Sequence, residues 1–234
     1  MSKRVSVDVN LNIMTEEQAK EVARQLRQPE GKFGKIVGQK MNEANLNMNV
    51  YTLKHLDISA QDTILEIGMG NGYFVKDILN VHPSITYTGV DFSPTMVDDA
   101  IEINRPFVDQ GRARFEMDNA AQMPFIDDSF NKLFTINTIY FWEHPDTVLQ
   151  ECRRVLQING VLTITIRPKH ILDTFPISKY GFITLEKKEV CDLLEGQGFE
   201  IINQIDIEEA EEVFFGERLK DTFVIIQAIK HYIK

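Results

Sequence analysis

The sequence predicts an α/β fold: a doubly wound, mostly parallel sheet preceded by a helical extension. Apolar runs of strand length alternate with helix-period segments from residue 63 onward, the order a parallel sheet requires. The first run, Thr63-Ile64-Leu65-Glu66-Ile67, ends in the glycine-studded turn Gly68-Met69-Gly70-Asn71-Gly72, and a helical pattern follows it. Strand, glycine turn and helix is how α/β proteins aim backbone N–H groups at a nucleotide-like ligand. Two strand patterns in succession near the end of the chain fit an antiparallel closing pair at one sheet edge.

Taken in order, Val5, Val7, Val9, Leu11 and Ile13 alternate with polar residues, the period of a strand or extended arm. Thr15-Glu16-Glu17-Gln18 reads as a capping box opening a helix that runs to about Gln28, before Pro29. Gly31, Gly34 and Gly38 predict a looser linker, and Met41 to Leu56 a helix leading into the core. This divides the chain into an N-terminal arm and helix, 1–40, and a main domain, 41–234. The predicted strands are Thr63–Ile67, Thr86–Asp91, Arg114–Met117, Lys132–Asn137, Val161–Arg167, Phe199–Ile207 and Thr222–Ile229. Helices are predicted over Gly72–Asn80, Ser93–Asn104, Pro145–Leu156 and Glu186–Gln197. Ser93-Pro94 joins an N-cap to a proline at the first helical position. Asn159-Gly160 predicts a turn from helix to strand.

Composition narrows the function. Of 234 residues 43% are hydrophobic and 26% charged, the balance of an ordinary globular protein able to bury a full core. A net charge of −10 opposes a large phosphate-binding footprint, so nucleic acid is not an expected partner. No apolar stretch is long enough to span a bilayer. Met1–Arg4 leads into an alternating pattern rather than an apolar run, so no signal peptide is expected. Cys152 and Cys191 lack metal-ligand or C-x-x-C spacing, which predicts buried thiols in a cytoplasmic setting and no metal.

The glycines at 68, 70 and 72 follow G-x-G-x-G, not the dinucleotide pattern G-x-G-x-x-G. Glu66, two residues before Gly68, would repel a pyrophosphate and suits a ligand with a cationic end. S-adenosylmethionine has such an end, an ammonium and a sulfonium. The segment resembles motif I of the class I S-adenosylmethionine-dependent methyltransferases. Asp91 ends the second strand, where a carboxylate accepts ribose hydroxyls. That feature alone also fits an NAD-dependent oxidoreductase. Adenine needs an acceptor for its amino group and an apolar slot. Asp118 with the following backbone suits the first, and Phe92, Met96 and Met117 the second. The order Asp118-x-Ala120-x-x-Met123-Pro124-Phe125-x-Asp127-x-Ser129-Phe130 resembles the adenine-binding segment of small-molecule methyltransferases. Glu151 to Leu162 resembles the E-x-x-R-V-L-x-x-G-G block of the same family, with Asn159 where glycine is usual. Asn tolerates the left-handed conformation such a turn requires.

Over roughly residues 35–234 the chain is similar to class I methyltransferases of the ubiquinone/menaquinone-biosynthesis type. The resemblance implies a seven-stranded Rossmann-like sheet with an antiparallel last strand and methyl transfer from S-adenosylmethionine to a small-molecule acceptor. It also implies cofactor contacts from Glu66, Gly68, Met69, Gly70, Asn71, Gly72, Asp91, Phe92, Met96, Asp118, Asn119, Ala120 and Asn137.

Ligands of open α/β sheets sit beyond the carboxyl ends of strands. Tyr140 and Trp142, just after the fourth strand, are therefore expected at the acceptor site, where aromatic faces attract a methylsulfonium. Arg167 and Lys169 are either placed to meet an anionic acceptor or ordinary surface charge, and Tyr180 lies in an aromatic segment, 171–185, expected to cap the site with the N-terminal helices. If the acceptor must lose a proton, His170 and Tyr140, then His144 and Tyr180, are the candidate bases. Asn42, Asn45 and Asn49 share a helix face, either a ligand border or an ordinary solvated face. A non-catalytic cofactor-binding protein and an RNA methyltransferase are the remaining alternatives, the latter opposed by the acidic balance. The assembly is expected to be a monomer or homodimer.

Overall fold

A computed structural model describes residues 14–209, 212–214, 217–219 and 222–232. The alternating pattern from Val5 to Ile13 lies outside them. Three helices come first: α1 (Glu16–Arg27), α2 (Gly31–Ala44) and α3 (Leu46–His55). The strands follow as β1 (Thr63–Ile67), β2 (Thr86–Asp91), β3 (Ala113–Met117), β4 (Phe130–Ile136) and β5 (Leu156–Ile166). Between them lie α4 (Val75–Leu79), α5 (Pro94–Ile103), α6 (Arg105–Asp109) and α7 (Pro145–Val155). After β5 come α8 (Lys169–Leu172), α9 (Lys187–Gly196), β6 (Phe199–Glu208), the short hairpin β7 (Glu212–Phe214)/β8 (Glu217–Leu219) and β9 (Thr222–Lys230).

The large sheet runs β3-β2-β1-β4-β5-β9-β6. Neighbours from β3 through β5 are parallel. β9 is antiparallel to both β5 and β6. The two consecutive strand patterns thus pair with each other, but β9 enters between β5 and β6 and leaves β6 at the edge. Burial explains the order. β9 is apolar on both faces, with Phe223, Val224, Ile225, Ile226 and Ala228 all buried, so it belongs inside the sheet. β6 alternates with many exposed residues, as an edge strand does. Buried clusters on the sheet gather α7 and α9 residues in one group and α4 and α5 residues in another. Buried hydroxyls in this core are bonded: Thr52 meets Thr165 at 2.7 Å, and Thr135 donates to the Ile67 carbonyl at 2.8 Å.

Three predicted features change. The stretch with Gly31, Gly34 and Gly38 is the helix α2, not a linker, and α2 continues across residues 40 and 41. Its glycines mark close packing. A Cβ at Gly34 would stand 2.6 Å from the Pro29 carbonyl carbon, and one at Gly38 would stand 3.0 Å from the Met96 sulfur. The helix predicted from Met41 to Leu56 breaks at Asn45, whose φ of −106° and ψ of 12° end α2 and start α3. Asn159, at φ 64°, lies within β5, where the register to β4 shifts. The turn expected there is absorbed as an irregularity in the strand. Thr15 and Gln18 do form the capping box of α1.

Candidate functional site

Strand order reverses between β1 and β4, and ligands of open α/β sheets bind beyond the strand ends at such a point. A cavity of about 480 Å³ lies there. Every predicted cofactor contact lines it: Glu66, Gly68, Met69, Gly70, Asn71, Gly72, Asp91, Phe92, Met96, Asp118, Asn119, Ala120 and Asn137. Tyr140, Trp142, His144 and Arg167 line the same space, as do Asn42, Asn45 and Asn49, so the asparagine face borders the cavity.

Other candidates stand elsewhere. His170 is exposed, with Nδ1 about 3.0 Å from the Glu186 carboxylate. Tyr180 lies under the Lys20 ammonium, 5.5 Å from its ring centre, and lines a smaller recess beside α1. Lys169 pairs with Asp173 along α8. Met117, at the end of the sheet-edge strand β3, is 58% exposed and outside the cavity wall. The chain turns away from the strand ends at α8, which carries Lys169 and His170 outward.

The glycine turn is built by backbone conformation. Gly68, Gly70 and Gly72 have φ of 72°, 57° and 67°, values that L side chains rarely adopt. A Cβ on Gly68 would stand 2.2 Å from Thr138 Cγ2. A Cβ on Gly70 would meet nothing within 4 Å, which leaves its backbone open to the cavity. The Gly70 N–H donates to Asp91 Oδ2 at 3.0 Å, and the Ser93 N–H donates to Oδ1 at 2.9 Å. Burial raises the Asp91 pKa, and these N–H bonds oppose the rise.

Glu66 is buried at the end of β1 and accepts a 2.5 Å hydrogen bond from the Tyr87 hydroxyl. Burial pushes its pKa up to about 7, against the Tyr87 bond and with help from the Asp91 charge. An acid with a raised folded pKa binds more protons folded than unfolded. Its stabilising contribution is therefore full below the ordinary glutamate value of 4.5 and is lost as pH rises through about 7. Glu66→Gln mimics the protonated acid. We expect the ligand-free variant to gain stability relative to the parent between about pH 5 and about pH 8, by up to ~3 kcal/mol. Urea unfolding at both ends of that range checks it, and a constant difference would assign Glu66 an ordinary pKa.

At the ends of β4 and β5 the Tyr140 hydroxyl accepts from the Arg167 N–H at 2.5 Å and stands 2.8 Å from Asn137 Oδ1, its acceptor. Tyr140 is thus a clamp between strand ends, its hydroxyl bonded to both of them. Asn137, at φ 56°, donates from Nδ2 to Asn45 Oδ1 at 3.0 Å, which ties β4 to the α2–α3 junction. Arg167 is buried, with Nη1 2.9 Å from Glu209 Oε2.

Sequence reasoning expects a cap from 171–185 and the N-terminal helices but misses the side-chain pairs that hold it. Arg27 of α1 pairs with Glu143 at 2.6 Å, and both line the cavity. Ser93 Oγ donates to the Pro29 carbonyl, and the Gly31 N–H donates to Thr95 Oγ1 at 3.1 Å. Leu26, Leu172, Phe175 and Phe182 complete the wall. The aromatic content of 171–185 was the one signal for this, because pairs such as Arg27–Glu143 join positions far apart in the chain.

The glycine turn, the strand-end carboxylate and the capped cavity all lie where the strand order of this α/β sheet reverses, the place where such sheets bind their ligands. Residues 65–164 match the family model described as a methyltransferase domain. YdaC, a methyltransferase of Bacillus subtilis, is 26% identical over 57% of this chain and 72% of its own length. The O-methyltransferase resE of Aspergillus sclerotiorum is 27% identical over 65% of this chain and 60% of its own length. The chain thus spans 60% to 72% of these relatives. Its fold matches a chain of the Haloferax volcanii complex between the Trm112 methyltransferase activator and a methyltransferase, with TM-score 0.72 at 16% identity. That match covers 84% of this chain and 94% of the other. The matched domain and the named relatives make this chain a methyltransferase, on the Rossmann-like fold of that class. Among the described residues no helix is long and apolar enough to cross a membrane.

Proposed function

We propose that this methyltransferase binds S-adenosylmethionine in the cavity at the glycine turn and transfers its methyl group to a small-molecule acceptor. The observation that carries the reading is the pairing of the open Gly70 backbone with the Asp91 carboxylate, held to that turn by the Gly70 N–H. The residues present fit the cofactor. Each Asp91 oxygen accepts one of these backbone N–H bonds and keeps lone-pair capacity for a vicinal diol. Burial raises the Glu66 pKa to about 7, and a bound ammonium beside it would favour its charged form. Phe92 and Met96 offer apolar surface to a purine, and Asp118 and the 119–120 backbone offer polar partners to its edge.

When bound, S-adenosylmethionine supplies a methyl group already activated by its sulfonium. The chain then has chiefly to orient and to exclude water. Tyr140 and Asn137 hold the ends of β4 and β5 in fixed relation. Arg27–Glu143 and Ser93–Pro29 hold the cap across the cavity. The O-methyltransferase activity named for the similar Aspergillus sclerotiorum protein supports methyl transfer. Buried, unpaired Cys152 and Cys191 support a reducing, cytoplasmic setting.

Calorimetric titration tests the cofactor. We expect saturable binding of S-adenosylmethionine and S-adenosylhomocysteine with one site per chain and no comparable binding of NADH. Preferential binding of NADH would overturn the reading.

A further inference from the structure

The cavity has a second half that the cofactor contacts leave unused. Its wall comes from three separate parts of the chain: Leu26 on α1, Phe141 and Trp142 after β4, and Leu172, Phe175 and Phe182 beyond β5. Phe141 and Phe182 meet edge to face, 4.7 Å between ring centres. Away from the glycine turn and Asp118, the charged side chains lining the cavity, among the described residues, are Arg27, Glu143 and Arg167, with His144 exposed beside them. Arg27 and Glu143 are joined to each other at 2.6 Å. Arg167 is joined to Glu209 at 2.9 Å, with both side chains less than one-tenth exposed.

We propose that the acceptor is an uncharged molecule with an apolar body, held under the cap against Phe141, Trp142, Phe175 and Phe182. This inference rests on the reading of the other half as the cofactor site. An anionic acceptor would have to compete with Glu143 or Glu209 for an arginine. A cationic acceptor would have to compete with Arg27 for Glu143. Breaking the buried Arg167–Glu209 pair would leave a charge short of partners in a low-dielectric space, which is costly, whereas Arg27 and Glu143, 37% and 70% exposed at the rim, give an ion only a weak, solvent-screened partner. An apolar body gains from leaving water and costs no ion pair. The Thr147 hydroxyl on the same wall can meet one neutral polar group.

The chain carries a single tryptophan, Trp142, and it lines this wall, so its emission reports occupancy. Butylbenzyl alcohol, butylbenzoate and butylbenzylammonium share one skeleton and differ in charge. Each is titrated into the full chain with and without S-adenosylhomocysteine, whose binding is measured separately by calorimetry. Trp142→Phe controls for signal from elsewhere. We expect saturable change with the alcohol, at a Kd at least about ten-fold below that of either ion. An ion that binds as tightly as the alcohol, or no binding by any probe to protein that binds S-adenosylhomocysteine, overturns this inference alone. Alcohol preference in protein that fails to bind S-adenosylhomocysteine supports the chamber and overturns the cofactor reading alone.

Discussion

Gly68→Ala is expected to destabilise the protein by ~3 kcal/mol or more. Two costs add. A residue with a Cβ at φ 72° costs about 1–2 kcal/mol relative to a right-handed conformation. The added Cβ would also fall 2.2 Å from Thr138 Cγ2, and overpacking of this kind costs about 1–3 kcal/mol. Thr138 has little room to yield, because its hydroxyl is bonded to that of Thr135, which also donates to the Ile67 carbonyl. Gly68 cannot easily move either, since its N–H donates to the Val90 carbonyl at 2.7 Å. A loss of that size is a large fraction of the ~5–15 kcal/mol that holds a typical domain folded. Urea unfolding of the variant measures it. Adding Thr138→Ala should recover the steric part and leave the conformational part. If Gly68→Ala unfolds at the parent's midpoint, the turn is not held as described.

Asp91→Ala is expected to weaken S-adenosylmethionine binding about 100-fold, roughly 2.7 kcal/mol. The carboxylate would accept the ribose hydroxyls, and hydrogen bonds to a charged group are worth about 1.5–3 kcal/mol. Its removal also deprives the Gly70 and Ser93 N–H groups of their acceptor and loosens the turn the cofactor would rest on. Asp91→Asn keeps one accepting oxygen and should lose only about ten-fold. Calorimetry with S-adenosylhomocysteine separates this from a folding defect, because a folded variant gives a measurable titration of unchanged stoichiometry. Affinity unchanged in both variants would remove Asp91 from the site.

Much of the site is legible because its signals are local. Thr63 to Gly72 shows an apolar run, an acid and three spaced glycines, and each maps directly onto strand, cavity wall and positive φ. Asp91 is legible for the same reason, as an acid at the end of an apolar run. Gly34 and Gly38 mislead because a glycine reads as looseness along the chain but can mark close approach across it. The break at Asn45 is invisible to periodicity, since the segments on either side are both helical and the change of direction is made by a single residue. His170 and Tyr180 sit near a strand end in sequence, yet α8 carries one outward and the other faces Lys20.

The sequence by itself determined the α/β class, the glycine turn, the acids at the ends of β1 and β2, and the alternation that builds the parallel strands. These follow from period and residue type within windows of a few residues, where conformational preference acts. Only the tertiary structure decided that β9 enters between β5 and β6, that Tyr140 is a clamp, that Arg167 is neutralised by Glu209, and that Arg27 of α1 pairs with Glu143 across the cavity. These depend on contacts between residues distant in the chain, whose partners are set by burial and packing rather than by any local pattern.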